Sequence, residues 1–198
     1  MKIIVGLGNP GKKYKNNRHN LGYRVIDRLS DEFGITVDRK KFNSEYGNRG
    51  SELLLVKPTT FMNNSGESVV SWVNYFKNPL EGLLVVCDEF SMQLGTIRIR
   101  KSGTSSGHNG LNSIISCINT NQFPRLRIGI GAKKPEAAIP EKRLPDLADY
   151  VLEDFGPDEK KLVEEMIEKA SAAVVEFINN GIESAMNKYN IRPLNHKP

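Results

Sequence analysis

The stretch IIVGLGNPGKKYKNNRHNLG, residues 3–22, decides how the rest of this sequence is interpreted. It opens on a short apolar run, residues 3–5, whose β-branched side chains are typical of a strand buried on both faces. Closely spaced glycines and Pro10 follow, and they predict a tight turn where the strand ends. In an open α/β sheet, ligands bind at that edge. Hydrogen-bonding side chains crowd the turn beyond what packing requires: Asn9, Tyr14, Asn16, Asn17, Arg18, His19 and Asn20. The sequence therefore predicts a functional site at the carboxyl end of its first strand.

Length and composition indicate an ordinary globular protein. The 198 residues are 38% hydrophobic and 26% charged, and no apolar run approaches the ~20 residues of a membrane span. We expect one domain over residues 1–190 and a polar tail over 191–198. The first strand begins at residue 2 and leaves no room for a signal peptide, so we expect a cytoplasmic protein with no membrane contact. Cys87 and Cys117 each lie among aliphatic residues and are interpreted as small core side chains.

The charge of the chain is distributed unevenly. Residues 1–134 hold 20 Lys and Arg against 10 Asp and Glu, a net charge of +10, whereas residues 135–198 hold 8 against 13, a net charge of −5. A solvated surface with uneven charge would account for this. A basic face that meets a polyanion would account for it equally well.

Hydrophobic periodicity predicts an α/β fold. After the strand at residues 2–5, further strands are expected at 34–38, 45–48, 53–56, 83–87, 96–100 and 125–131, the second and third of these forming a hairpin. Helices are expected from His19 to Gly34, behind residue 66, over 111–118, over 146–152, and from Gly156-Pro157 to near Gly181, with an exposed loop at 132–145. Two of the strands alternate apolar and basic residues, which predicts that Arg98, Arg100, Arg125 and Arg127 point outward.

The segment from Gly6 to Gly11 matches the G-x-G-x-x-G motif of dinucleotide-binding proteins, and Asp38 falls roughly where a ribose-binding carboxylate would be expected. A dinucleotide-binding helix begins inside its glycine loop, however. Here Pro10 and residues 12–17 delay the helix by about two turns' worth of residues. Dinucleotide binding therefore stands as a weaker alternative.

The segment from Gly103 to Gly107 matches G-x-S-x-G, the nucleophile elbow of serine esterases. That elbow joins its strand directly to the serine, but residues 101–103 intervene here. The order of serine, acid and histidine also fails, because the only histidine far downstream is His196 in the tail. A Gly/Ser-rich loop is the better interpretation.

A third set of residues is spread along the chain, and each member lies just beyond a predicted strand or at a helix start. The set comprises Asn9, His19, Asn63, Asp88, His108 and Asn109. In a largely parallel sheet these positions converge on one edge. His19 is the candidate for proton transfer, because imidazole titrates near neutrality, and Asp88 can orient it by accepting its other N–H. A capping role would also explain either residue alone. No His, Cys, Asp and Glu set has zinc spacing, so we expect no metal and no cofactor.

Together these pieces resemble the bacterial-type peptidyl-tRNA hydrolase family. The resemblance rests on VGLGNPGKKYKNNRHNLG (5–22), KPTTFMNNSGE (57–67), CDE (87–89), GHNGLNSII (107–115) and RLRIGIG (125–131). It implies a single-domain α/β fold with a twisted mixed, largely parallel sheet surrounded by helices, and a monomer. It implies hydrolysis of the ester that joins a peptide to the 3′ ribose of tRNA, with peptidyl-tRNA as the partner.

The same resemblance implies roles for individual residues. His19 matches the general base that activates water, and Asp88 matches its orienting acid. Asn9, Asn63 and Asn109 match residues that position water and peptide and stabilise the oxyanion, while Tyr14, Met62 and His108 match residues that line the cleft. Arg100 and Arg127 match a basic clamp on tRNA phosphate. Some relatives of this fold serve RNA splicing, so an RNA-binding protein without catalysis is the alternative function.

Overall fold

The structure is a computed structural model, and it describes residues 1–131 and 145–190. The strands of the described residues are β1 (Lys2–Gly6), β2 (Arg39–Lys41), β3 (Ser44–Arg49), β4 (Leu53–Pro58), β5 (Leu83–Gln93), β6 (Ile97–Arg100) and β7 (Arg125–Gly131). The helices are α1 (Leu21–Phe33), α2 (Ser65–Phe76), α3 (Asn109–Ile118), α4 (Pro145–Leu152) and α5 (Lys160–Tyr189). Short 3-10 turns precede α1 and α2.

The strands form one sheet in the order β2-β3-β4-β1-β5-β7-β6. The four central strands are parallel neighbours, whereas β2, β3 and β6 pair antiparallel at the two sides. This arrangement confirms the predicted mixed, largely parallel sheet. It also brings the carboxyl ends of β1, β4, β5 and β7 to one edge, where the segments after them meet.

Alternation along the central strands places side chains in two core layers. Ile4 packs in the layer that includes residues of α1 and α5, whereas Ile3 and Val5 pack in the layer that includes residues of α2 and α3. All three side chains are fully buried. Burying one such aliphatic side chain contributes about 1.5–3 kcal/mol, which explains why β1 lies at the centre of the molecule.

Helix α1 begins directly against the ends of β1 and β5. This close approach depends on two glycines, because a Cβ on Gly22 would collide with the backbone of Leu7 and Val86, and one on Gly6 would collide with the backbone of Gly22. The N-terminal turn that carries His19 is therefore held against the sheet by backbone contact.

Helix α5 bends at Gly181, where the sequence predicts that it ends. The glycine has φ 82° and ψ 178°, a conformation outside the helical region, and helical residues resume after it. The carboxylate of Glu176 spans the bend by accepting hydrogen bonds from Asn180 Nδ2 (2.7 Å), Ser184 Oγ (2.6 Å) and Lys188 Nζ (3.0 Å). The bend is thus braced by one acidic side chain.

The two edges of the sheet are protected differently. Strand β2 presents exposed Arg39 and Lys40, and charge discourages another strand from pairing there. Strand β6 is covered by Asn190, whose Oδ1 accepts from Ile99 N (2.8 Å) and whose Nδ2 donates to Ile99 O (2.9 Å). The side-chain amide therefore takes the place of a neighbouring peptide group.

Three expectations about local structure are wrong. No strand forms at 34–38, because the end of α1 takes its polar groups: Ile35 N donates to Ser30 O (2.9 Å) and Ser30 Oγ donates to Ile35 O (2.5 Å). The short strand lies at β2 instead. Cys87 is buried as expected, but Cys117 is exposed. Strand β5 continues past residue 87 to Gln93.

Two further expectations fall largely outside the described residues. These are the loop predicted at 132–145, of which only Pro145 is described as the start of α4, and the polar tail predicted at 191–198. Within residues 1–131 and 145–190, none of the helices combines the length and the apolarity that crossing a bilayer requires.

Candidate active site

The turn after β1 is fixed by a pair of asparagines. Asn9 N donates to Asn20 Oδ1 (2.8 Å), and Asn20 Nδ2 donates back to Asn9 O (3.0 Å). The side-chain Oδ1 of Asn9 accepts from Met62 N (2.9 Å), which ties this turn to the one that follows β4. Because its oxygen is occupied, Asn9 offers its Nδ2 donor to a ligand; no described group accepts from that atom.

His19 lies in the 3-10 turn Arg18–Asn20, which ends the loop between β1 and α1, and its side chain contacts Asp88. Its Nδ1 lies 2.8 Å from Asp88 Oδ1 and 3.0 Å from Oδ2, and both residues are buried. Asp88 does not follow β5 as predicted but lies within it, just before the pairing with β7 changes register between Glu89 and Gln93. Asp88 itself still pairs in regular register, opposite Ile128, so a residue of the strand proper reaches the site.

His108 approaches the same carboxylate from the start of α3. Its Nδ1 accepts from the backbone N–H groups of Gly110 (3.1 Å) and Leu111 (3.3 Å), so this side chain caps the helix. The proton of the neutral imidazole is therefore on Nε2, which donates to Asp88 Oδ1 (3.1 Å). The two imidazole rings lie 4.9 Å apart between centroids.

These contacts determine the proton positions in the His19–Asp88 pair. Burial alone would raise the pKa of Asp88, but its interactions with His19 and His108, including their hydrogen bonds to the carboxylate, outweigh burial and hold that pKa well below its usual range. For His19, burial lowers the pKa, while the charge and hydrogen bond of Asp88 raise it, and the net pKa is above the ordinary value of 6.5. An ionised Asp88 thus accepts the Nδ1 proton of His19, which leaves Nε2 as a basic lone pair.

His19, Asp88 and His108 are also the described residues that come nearest to a metal-binding set, with ligand atoms within 4.8 Å of one another. The helix cap opposes this use. A metal at His108 Nε2 would move the ring proton to Nδ1, where it would face two backbone N–H donors. The donor set therefore fits a hydrogen-bonded relay better than a metal centre.

The structure places the remaining cleft candidates around this cluster. Met62 is buried, and its sulfur packs where a Cβ on Gly110 would collide. Tyr14 is half-buried in a 3-10 turn of the same loop as Asn9. Asn63 and Asn109 are exposed beside Met62 and His108, and the described residues provide no hydrogen-bond partner for either side chain. Both amides are available to a ligand.

The four arginines of β6 and β7 do not all point outward as predicted. Arg98 and Arg100 are exposed. Arg127 is half-buried, and its guanidinium contacts the Glu89 carboxylate, Thr104 O and Ser106 Oγ. Arg127 therefore joins β7 to the carboxyl end of β5 and to the loop that leads to His108.

The outward prediction for Arg125 is wrong. The side chain is fully buried, its guanidinium carbon lies 4.2 Å from the centre of the Phe123 ring, and its Nη1 donates to Gly103 O (2.5 Å) and Thr104 O (3.2 Å). Burial lowers the pKa of Arg125 to about 10. Arg125 takes the face of β7 opposite Leu126 and Ile128, as the alternation requires, but the 101–107 loop covers that face and the guanidinium holds the loop.

Both motif alternatives find no support in this geometry. The glycine loop 6–11 is followed by a 3-10 turn, and α1 begins only at Leu21, so the helix does not start inside the loop as it does in dinucleotide-binding proteins. In the second motif, Ser105 Oγ accepts a long bond from Gly107 N (3.4 Å), and within the described residues no imidazole bonds to it. Ser105 is a loop residue.

The sequence assigns no individual role to three residues that the structure joins to the cluster, although two of them, Arg18 and Asn20, lie in the polar stretch that predicts the site. Asn20 accepts a hydrogen bond from Asn9 N, and Glu89 pairs with Arg127. Arg18 precedes His19 and pairs with Glu159. Asn20 and Glu89 are each adjacent to a catalytic candidate, which was a usable signal. Nothing local indicates the partner of Arg18, because it lies 141 residues away in the chain.

Fold and site together define a class: an α/β domain with a buried, hydrogen-bonded histidine–aspartate pair and asparagine side chains around it. The sequence pattern of the family described as peptidyl-tRNA hydrolase matches residues 3–197. A peptidyl-tRNA hydrolase of Caldanaerobacter subterraneus subsp. tengcongensis is 49% identical over 193 residues, which cover 96% of this chain and 100% of the relative. One from Thermoanaerobacter sp. (strain X514) is 48% identical with the same coverage. The chain belongs to the peptidyl-tRNA hydrolase family.

Solved structures agree with this assignment. The crystal structure of peptidyl-tRNA hydrolase from Acinetobacter baumannii superposes with a TM-score of 0.85 at 35% identity, covering 96% of this chain and 94% of that one. A complex of peptidyl-tRNA hydrolase with N-propanol gives a TM-score of 0.85 at 34% identity, covering 98% and 96%. The likeness therefore extends over almost the whole chain.

Proposed function

We propose that this chain hydrolyses the ester bond between a peptide and the 3′ ribose of tRNA, with His19 as general base and Asp88 as its orienting acid. The observation that carries the proposal is the 2.8 Å contact between His19 Nδ1 and the ionised Asp88, in a chain of this family. The contact leaves Nε2 of His19 free to take a proton, which is what activating a water molecule requires.

The reaction follows from these groups. His19 Nε2 takes a proton from water as the oxygen attacks the ester carbonyl, and the imidazolium that forms is stabilised by Asp88. The tetrahedral intermediate collapses by releasing the ribose oxygen, which receives the proton from His19, and the peptide leaves as a carboxylic acid. Free amide donors on Asn9, Asn63 and Asn109 suit the developing oxyanion and the peptide backbone. Tyr14, Met62 and His108 complete the cleft around the peptide end.

The tRNA backbone meets the arginines beside the site. Arg100 is exposed and, among the described residues, has no ion-pair partner, whereas Arg127 already contacts Glu89 and the 101–107 loop. Arg100 and Arg127 together form the phosphate clamp, with Arg100 the more accessible cation. The protein acts as a monomer in the cytoplasm and uses no cofactor.

The test is release of free tRNA from N-acetyl-aminoacyl-tRNA in the presence of EDTA, with a serine-directed inhibitor in parallel. We expect turnover to resist both reagents. His19→Ala should lower kcat by about 10²–10⁴-fold, the usual contribution of a general base, while tRNA affinity and the circular dichroism spectrum stay unchanged. A His19→Ala variant that keeps full activity would remove the base assignment. Binding of tRNA by the native chain without any turnover would favour the alternative, an RNA-binding protein.

A further inference from the structure

Arg18 is a buried arginine that points away from the cleft, although it precedes His19 in the chain. Only 6% of the residue is exposed. Its guanidinium makes a two-fold contact with Glu159, with Nη1 to Oε1 at 3.1 Å and Nη2 to Oε2 at 2.8 Å. Paired contacts of this kind fix the orientation as well as the position of both groups.

The same guanidinium lies between two aromatic rings. Its central carbon is 4.5 Å from the centre of the Tyr150 ring and 4.7 Å from that of Phe155. The backbone adds a further link, because Arg18 N donates to Glu153 O (3.0 Å). The segment 150–159 therefore contacts Arg18 by charge, by ring stacking and by a peptide hydrogen bond.

Tyr150 extends this support to the strand that carries Asp88. Its ring meets the Phe90 ring edge-on at 5.6 Å, and its hydroxyl donates to Ile130 O on β7 (2.6 Å). Phe90 is two residues beyond Asp88 on β5. One segment thus contacts both the turn that presents His19 and the strand that presents Asp88.

From these contacts we infer that Arg18, through Glu159 and Tyr150, is a positioning residue that holds His19 in register with Asp88. The inference rests on the proposed function for its kinetic consequence. Arg18 touches no reacting atom; it acts by fixing the backbone on which the 2.8 Å contact depends. Loosening it should lengthen that contact, weaken the influence of Asp88 on the imidazole, and misplace Nε2 relative to the ester.

The chain contains a matched control. Arg24 and Arg28 of α1 also pair with glutamates of α5, Arg24 with Glu164 (2.5 Å) and Arg28 with Glu168 (3.4 Å). Both glutamates are largely exposed, and neither pair contacts the turn of His19. Arg24→Gln therefore removes an ion pair whose partners are about as far apart in the chain as Arg18 and Glu159. It leaves the contacts of Arg18 intact.

The experiment compares Arg18→Gln, Arg18→Lys and Glu159→Gln with Arg24→Gln in the full chain. The first measurement is the pKa of His19 by NMR titration without substrate, and the second is kcat and KM for N-acetyl-aminoacyl-tRNA. For Arg18→Gln we expect a lower His19 pKa and a kcat reduced by about 10–100-fold at nearly unchanged KM, since a misplacement of the order of 1 Å has this cost. Arg18→Lys should fall between Arg18→Gln and the native chain, because an ammonium cannot make the paired contact. Arg24→Gln should match the native chain.

The outcomes are distinct. If Arg18→Gln and Arg24→Gln give the same His19 pKa and the same kcat, the inference is overturned. If Arg18→Gln does not fold, Glu159→Gln decides by the same two measurements, because its carboxylate is partly exposed and its loss leaves no buried cavity. A native chain that turns over no substrate would contradict the proposed function, whereas the titration would still show whether Arg18 holds His19 against Asp88.

Discussion

At the scale of single residues, Asp88 determines the protonation of the site because two imidazoles share its Oδ1. His108 has its proton direction fixed by the backbone of α3, so it remains a donor to that oxygen. His19 has no such constraint on its second nitrogen. His108 is thus a helix-capping donor to Asp88, whereas His19 keeps its Nε2 available for the proposed role of general base.

Asp88→Asn tests this division. We expect the acid limb of kcat/KM, which reports the pKa of His19, to move to lower pH, because the imidazolium loses its counter-charge while its burial remains. The plateau rate should fall by about 10²–10⁴-fold. Glu89→Gln is the control, since it removes a neighbouring buried carboxylate that contacts Arg127 and leaves the position of the limb unchanged. If the acid limb of kcat/KM lies at the same pH in Asp88→Asn as in the native chain, Asp88 does not raise the pKa of His19, and this prediction is wrong.

The meeting of His19 with Asp88 was predictable because the segments that follow parallel strands meet at one edge, although Asp88 lies within β5 and not after it. The burial of Arg125 was not, because alternation tells which face a side chain takes but not which loop covers that face. The link between Arg18 and Glu159 was hidden for a similar reason, since nothing near either residue indicates the other.

At the scale of elements, α5 depends on the brace across its bend. Hydrogen bonds from Ser184, Lys188 and Asn180, in that order of influence, lower the pKa of Glu176 to about 2 from 4.5. A depressed carboxyl pKa contributes stability that is present above the unfolded value and is lost as pH falls through the folded value. The segment after Gly181 leads to Asn190, which bonds the outer backbone of β6. We therefore expect this segment to lose stability as the pH falls from 4.5 to about 2.

Glu176→Gln should produce this loosening at neutral pH. We expect hydrogen exchange of the Ile99 amide to accelerate a few-fold, because the C-terminal part of α5 holds Asn190 against that amide. Glu168→Gln is the control on the same helix, as Glu168 pairs with Arg28 and lies before the bend. If the Ile99 amide exchanges at the same rate in Glu176→Gln and Glu168→Gln, the Glu176 hydrogen bonds do not stabilise the bend.

The elements themselves were largely predictable, since apolar periodicity indicated the hairpin of β3 and β4, the buried strand β5 and the helices. One failure occurred where backbone groups had another partner. Residues 34–38 look like a strand, but the end of α1 uses the peptide groups of Ile35. Periodicity shows which side chains are apolar and carries no information about such competition.

At the scale of the whole molecule, the mixed sheet could be inferred from the order of strands and helices, and the charge asymmetry from composition. What composition cannot show is where free cations lie. Of the four arginines on β6 and β7, Arg98 and Arg100 are exposed, while Arg125 and Arg127 are engaged with protein groups. The basic face beside the site is therefore narrower than its arginine content suggests.

Replacing Arg100 with Gln should weaken tRNA binding and reduce the slope of log affinity against log salt by about 1, because each phosphate contact releases counterions. The measurement is a salt titration of the affinity for deacylated tRNA, which needs no turnover. Arg39→Gln, on the opposite edge of the sheet, should leave the slope unchanged. A slope that responds to Arg39 and not to Arg100 would move the tRNA surface to the other side of the molecule.

The contact between Asn190 and Ile99 also has a consequence for how the protein is made. The two residues are separated by 91 positions, so β6 leaves the ribosome well before its cover does. At about 5–20 residues per second, this interval lasts roughly 5–18 s. Until residue 190 emerges, the outer peptide groups of Ile99 are open to pairing with another nascent chain. The risk of edge-to-edge aggregation at β6 is thus concentrated in the interval between the synthesis of Ile99 and that of Asn190.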